Sequence, residues 1–303
     1  MASAPMIHSH RTKILWAQRG AFLIELDHSM QSHQLMTEFF DTHAHLDFPD
    51  YAEDLEAVVQ RATAAGITRI VTIGTTLEGS ARAVAIAERF PSVFAAVGVH
   101  PGHMDESPDE IRPALRDLAR HPKVVAIGET GLDFFRRPGE PEPEPVADAA
   151  NRRKQASLFQ QQLEVAAELG LNVIIHTRDS FAPTLEVFRP YAARVKGVFH
   201  CWVGSVPELR EVESLGSLAS FTGIATFKNG VNVREAAAAV TGGHFMLETD
   251  CPFLAPVPFR GKRCEPAYVA QVAAAIAEAR GLSLEALSAE TCATARRFFP
   301  KMG

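Results

Sequence analysis

Four histidines and two carboxylates carry the chemistry that this sequence announces: His43, His45, Glu129, His176, His200 and Asp250. Most stand just past the end of an apolar, strand-like run. His43 and His45 follow Glu38-Phe39-Phe40-Asp41-Thr42, and Glu129 follows Val124-Val125-Ala126-Ile127-Gly128. His176 follows Val173-Ile174-Ile175, His200 follows Val198-Phe199, and Asp250 closes Phe245-Met246-Leu247-Glu248-Thr249. Alternate side chains of a strand share a face, so His43 and His45 point the same way. Four neutral imidazoles and two anionic carboxylates suffice for two divalent cations, provided one carboxylate bridges. Glu129 is the expected bridge, because its strand lies mid-chain between the early and late groups. Asp250, on the last strand, is expected to bind one ion and to orient or deprotonate a water.

A single histidine at a strand end is more often hydrogen-bonded than metal-bound, and His-x-His alone is a weak signal. A carboxylate ending a strand can simply cap the next helix. Six such residues on five separate strands are much harder to assign to chance. They require a scaffold that gathers the ends of many parallel strands, which a barrel does.

The rest of the chain supplies that scaffold. Runs at 38–42, 69–74, 93–98, 124–128, 172–176, 197–200, 217–222 and 244–248 read as strands. Helical patterns lie between them: Ala52–Ala65, Gly79–Arg89, Pro108–Arg120, Asn151–Leu169, Phe181–Ala193, Val206–Ser214 and Val231–Val240. Pro266–Arg280 and Leu284–Phe298 follow. Eight strand–helix units predict a single-domain α/β fold, a (β/α)8 TIM barrel. A doubly wound open sheet would place a glycine-rich phosphate loop after the first strand, and none is seen there. Residues 1–35 show no clean period, so the barrel is expected to span 36–303, with 1–35 a loosely attached extension or the product of an upstream start. From Arg137 to Pro145, alternating prolines and glutamates predict an exposed acidic loop of polyproline-II type.

Composition narrows the function. Apolar residues make up 47% of 303 residues, enough for a full core, and the net charge is −6. That charge argues against a basic surface coating duplex DNA, though not against a nucleic acid held in a local cleft beside bound cations. The four cysteines have no CxxC spacing and read as reduced thiols of a cytoplasmic protein. No run approaches a membrane span, and the short apolar stretch Gly20–Leu26, broken by Glu25, does not read as a signal peptide.

Six motifs, in order, resemble the TatD family of metal-dependent deoxyribonucleases. They are Asp41-Thr42-His43-Ala44-His45-Leu46, Gly98-Val99-His100-Pro101, Gly128-Glu129-Thr130-Gly131-Leu132-Asp133, His176-Thr177-Arg178, His200-Cys201 and Glu248-Thr249-Asp250-Cys251-Pro252. The resemblance runs from Met36 to about Phe298. It implies an amidohydrolase-type TIM barrel and phosphodiester hydrolysis on DNA, often as a 3′→5′ exonuclease. It implies the same six metal ligands, with His100 touching substrate phosphate or assisting proton transfer. The Arg/Gln pattern of Arg153, Gln155 and Gln162 is similar to the family's and would place a lip of the site, with Phe159 packing beneath. Arg178 is expected to clamp phosphate through its planar fork, and Asp133 to orient a ligand histidine. Glu248 is expected to be buried beside Asp250, and the Cys201 and Cys251 thiols to pack behind the site. The chain departs from the pattern at Cys264, where asparagine is usual, at Phe134, where tyrosine is common, and in the Pro/Glu loop.

The expected function is a metal-dependent hydrolase, a deoxyribonuclease acting on single-stranded DNA or DNA ends with two divalent ions (Mg²⁺, Mn²⁺ or Zn²⁺). The same metals would serve a deacylase acting on an ester or amide such as aminoacyl-tRNA. A non-catalytic metal-binding adaptor is the reading from a different class. Oligomeric state is not set by the sequence.

Overall fold

The computed structural model describes residues 37–136 and 144–303. The expected extension at 1–35 lies outside the described residues, as does most of the Pro/Glu loop.

The described chain alternates strand and helix: β1 Phe39–Ala44, α1 Leu55–Ala64, β2 Ile67–Ile73, α2 Leu77–Arg89, β3 Val93–Val97, α3 Arg112–Ala119, β4 Val124–Asp133, α4 Pro145–Leu169 and β5 Asn172–Arg178. It continues with α5 Phe181–Phe188, β6 Gly197–Phe199, α6 Val206–Ser214, β7 Leu218–Phe221, α7 Val231–Ala239, β8 Phe245–Leu247, α8 Val269–Arg280 and α9 Leu284–Phe298. The eight strands form one parallel sheet in sequence order. A parallel bridge between Ala44 and Cys251 brings its two edges together. This is the (β/α)8 barrel expected. No helix among the described residues is long and apolar enough to cross a membrane.

Two apolar clusters hold it. The larger lies between strands and helices. All eight strands contribute to the smaller, through Phe40, Val71, Phe94, Val125, Ile174, Val198, Leu218 and Met246 among others, which places it inside the barrel. Phe298, Phe299 and Met302 join it from the C-terminus and plug the end where the strands begin. There Asn172 Nδ2 donates to Phe298 O at 2.7 Å and Lys301 Nζ to Val124 O at 2.9 Å. The other end, where strands finish, is left for polar side chains.

Two boundaries differ from expectation. β4 does not stop at Gly128 but runs ten residues to Asp133. Glycine reads as a breaker in sequence, yet here it permits close approach. A Cβ at Gly131 would sit 2.0 Å from His176 O, and Gly131 has φ +140°. α4 starts at Pro145 rather than Asn151, because proline in the first helical turn lacks only an N–H that would be unpaired anyway.

Candidate metal centre

The strand ends deliver all six expected groups to one place. His43, Glu129 and His176 lie within β1, β4 and β5 rather than beyond them. β1 shifts register between Asp41 and Ala44, and β4 between Ile127 and Thr130, around His43 and Glu129 respectively. Such bulges re-aim side chains without ending the strand. His200 and Asp250 do lie past their strands, in tight turns. Cys201 has φ +48° and Asp250 has φ +59°, left-handed values that cost a non-glycine residue roughly 1–3 kcal/mol. Hydrogen bonds hold both turns: Asp250 N donates to His43 O at 2.9 Å, and Cys201 N to Glu248 Oε1 at 2.6 Å.

Glu129 is the hub. Its Oε2 lies 3.3 Å from His43 Nε2 and 3.8 Å from His45 Nε2. Asp250 Oδ1 completes that side, 3.3 Å from His45 Nε2 and 3.7 Å from His43 Nε2. Its Oε1 faces another set: His200 Nε2 at 2.7 Å, His176 Nδ1 at 2.9 Å and His100 Nε2 at 3.5 Å. One buried carboxylate thus presents Oε2 to two imidazoles and Oε1 to three others.

The spacing tests whether cations suit these donors. His43 Nε2 and His45 Nε2 are 3.3 Å apart, and His176 Nδ1 and His200 Nε2 are 3.2 Å apart. Ligands about 2.0–2.1 Å from a shared ion in a tetrahedral set sit about 3.3–3.4 Å from each other. Two nitrogens aimed at one another at that range match donors converging on a cation, and the mixed imidazole–carboxylate set suits divalent metals.

Backbone and carboxylate oxygens face the outer nitrogens of His176 and His45, whereas the buried Nδ1 atoms of His43 and His200 have no hydrogen-bond partner among the described residues. His176 Nε2 lies 3.0 Å from Asp133 Oδ2, which would hold the proton on that nitrogen and leave Nδ1 for a cation. His45 Nδ1 faces Ile73 O at 3.4 Å, leaving Nε2 for the site. His200 stacks on His43 with ring centroids 4.1 Å apart, and its Nδ1 faces Glu248 Oε1 at 3.7 Å. His100 is different. Its Nδ1 accepts the Gly102 backbone N–H at 2.9 Å, so a neutral His100 carries its proton on Nε2, toward Glu129. It offers the site a donor rather than a lone pair.

Burial opposes charge throughout, and the neighbours decide the outcome. Burial disfavours an ionised Glu129, but His200, His100 and His43 hold its carboxyl well below the usual carboxylate range. His200 is buried too, yet Glu129 and Glu248 hold it well above an ordinary histidine. Burial presses His100 down to about 3, and Glu129 only partly offsets it. Asp250 is also buried, but its hydrogen bond to His45 and the imidazoles nearby keep it below an ordinary aspartate. The result is anionic carboxylates beside a neutral His100.

Other expected residues fall into distinct positions. Glu248 is 1% exposed and accepts from Ser220 Oγ at 2.6 Å as well as from Cys201 N. Cys251 is buried, and Cys201 Sγ lies 3.7 Å from Thr222 Oγ1. Gln155 and Gln162 clamp backbone. Gln155 bridges the N–H and C=O of Asp133 at 2.9 and 3.0 Å, and Gln162 does the same for Val99. Phe159 is fully buried. Arg153 is exposed, whereas its neighbour Arg152 lines a cavity beside the site. Arg178 also lines that cavity, with its guanidinium 3.5 Å from the Phe135 ring centre.

Asp41 was not singled out from sequence. It is fully buried, and its carboxylate accepts from Thr249 N at 3.0 Å, Thr249 Oγ1 at 2.6 Å and His43 N at 3.2 Å. It ties β1 to the segment after β8, directly below the cluster. A carboxylate inside an apolar strand was the available signal.

Comparison with known proteins agrees with this geometry. The model of the family described as TatD related DNase matches residues 40–300. An uncharacterised metal-dependent hydrolase, YabD of Bacillus subtilis, is 37% identical over 86% of this chain and 98% of its own. A protein named 3′-5′ ssDNA/RNA exonuclease TatD, from Enterobacter lignolyticus, is 35% identical over 86% of this chain and 98% of its own. The crystal structure of YjjV, a TatD homologue of Escherichia coli K12, superposes with a TM-score of 0.80 at 30% identity, covering 88% of this chain and 99% of that one. A TatD-family hydrolase of Entamoeba histolytica, at 20% identity and a TM-score of 0.75, shares the fold. The family match over nearly the whole barrel, together with relatives above 30% identity aligned almost end to end, places the chain in the TatD-related DNase family, as a metal-dependent hydrolase.

Proposed function

We propose that the cluster binds two divalent cations bridged by Glu129, and that the enzyme hydrolyses phosphodiesters of single-stranded DNA from the 3′ end. The observation that carries this reading is the division of Glu129: Oε2 faces His43 and His45, and Oε1 faces His176 and His200. Asp250 belongs with the first pair and His100 stands beside the second. Metals held there would lower the pKa of a bound water and neutralise charge on phosphoryl oxygens.

The side chains do the rest. Asp250, anionic and in reach of His45, accepts a proton from the attacking water. His100 turns an N–H into the site from the edge and donates a hydrogen bond to a phosphate oxygen. Asp133 holds the His176 ring in register. The nucleic-acid substrate is supported by the relatives named as exonucleases.

The test is digestion of a 5′-labelled single-stranded oligonucleotide with Mg²⁺, Mn²⁺ or EDTA. The expected result is a metal-dependent ladder shortening from the 3′ end. Asp250→Ala and His100→Ala should each slow it by about a hundredfold or more, the range for a lost base and for a lost transition-state hydrogen-bond donor respectively. Absence of cleavage with any cation, in protein shown by calorimetry to bind two ions, would sink the nuclease reading.

A further inference from the structure

Beside the His100 and His176 edge of the cluster lies a cavity of about 690 Å³. That is within the roughly 300–1,000 Å³ typical of small-ligand sites. One wall is the turn after His100, at Pro101 and Gly102; the other is built from Phe134, Phe135, Arg152 and Arg178. We propose that this cavity is a base-stacking subsite, which seats one unpaired nucleobase next to the scissile phosphate. The proposal rests on the phosphodiesterase reading and specifies which part of the strand is held.

The platform is a stack already begun. The Arg178 guanidinium lies 3.5 Å from the Phe135 ring centre, and Phe135, like Phe253, is exposed. Guanidinium planes and aromatic rings are the surfaces on which single-stranded bases stack. Arg178, expected to clamp phosphate through its planar fork, would here form one side of the stack with Phe135. Arg152 lies 4.2 Å from the Phe134 ring centre. Arg136 and Arg152 share the single carboxylate of Asp148. Among the described residues, the ten guanidinium N–H groups of Arg136 and Arg152 face that one carboxylate.

Asp133 joins this platform rigidly to the cluster. Its Oδ2 accepts from His176 Nε2 at 3.0 Å, while its Oδ1 accepts the backbone N–H of Phe135 at 2.9 Å. Phe134 N donates to Arg178 O at 2.9 Å, and Gln155 bridges the Asp133 peptide groups. A base seated on Phe135 and Arg178 would thus be held at a fixed offset from His176. A paired base cannot leave its partner to enter such a slot without paying for unpairing. The subsite therefore supplies a physical reason for acting on single strands, which the cluster alone does not.

The experiment compares kcat/KM for a single-stranded oligonucleotide with kcat/KM for bis(4-nitrophenyl) phosphate, a diester without a base. In Phe135→Ala the oligonucleotide-to-small-diester ratio should fall about tenfold or more, the loss expected for one base–aromatic contact. Most of that fall should appear in KM. An oligonucleotide with an abasic site at the 3′-terminal residue should cost the wild type a similar factor and cost Phe135→Ala little further. Phe135→Trp, which keeps a stacking face, should restore the ratio. An unchanged ratio in Phe135→Ala, or an equal loss on both substrates, would overturn the subsite while leaving the nuclease reading standing. No hydrolysis of either substrate by the wild type would remove both.

Discussion

The two ends of the barrel handle charge in opposite ways. Where strands begin, cations are consumed by the chain's own carbonyls. Lys123 Nζ donates to Phe90 O, Pro91 O and Val93 O at 3.2, 3.0 and 2.9 Å. Lys196 caps Ala192 O and Leu215 O, and Arg280 caps Ala237 O and Val240 O. These are mostly helix-end and loop carbonyls, which need donors. Where strands finish, imidazole nitrogens face each other and two carboxylates at 2.7–3.8 Å. At that end the groups converge on shared points instead of pairing off. The first arrangement is complete without a ligand, and the second makes sense only with one. Stability and chemistry are therefore expected to separate by position.

The strongest way to break that separation is Glu129→Gln. Turnover should fall by about a thousandfold, because the bridge and its charge go together, and titration with Mn²⁺ should show weakened binding of both ions. The urea midpoint of the metal-free protein at neutral pH should fall, because Glu129 is held ionised by the imidazoles and its loss leaves His200, raised above an ordinary histidine, without its main counter-charge; an unchanged midpoint would show that the upper end serves chemistry alone. Asp133→Asn tests the tie behind His176. Metal affinity should drop about tenfold to a hundredfold, the usual cost of losing a partner of a ligating histidine, with near-native circular dichroism. Lys123→Met probes the other end and should have the smallest effect on chemistry. Three carbonyls lose a charged donor, so urea unfolding should show a loss of about 1–3 kcal/mol, with kcat/KM unchanged at a temperature where the variant is folded. A fall in kcat/KM there would join the two ends.

Much of this was legible from the residues alone, for a physical reason. Parallel strands buried on both faces are near-continuous apolar runs, so polar side chains such as His176 and Asp250 at their ends stand out. What the pattern hid were contacts between segments. Gly128 and Gly131 read as an end to β4 but permit its close approach to β5. Gln155 and Gln162 read as a polar lip, yet each amide matches the backbone N–H and C=O of a single residue, Asp133 at the end of β4 and Val99 just past β3. Phe135 and Arg178 carry no spacing signal, because their partnership exists only once β4 and β5 lie side by side.

The seam held by Asp41 has a consequence for the timing of synthesis. Asp41 and Thr249 meet across 208 residues, and His43 and His45 meet Asp250 at the same closure. At about 5–20 residues per second, the first half of that cluster waits on the order of tens of seconds for the second to be translated. A nascent chain still lacking β8 has histidines but no completed centre. On the proposed function, an enzyme that would cut nucleic acid is assembled only when its last strand has left the ribosome.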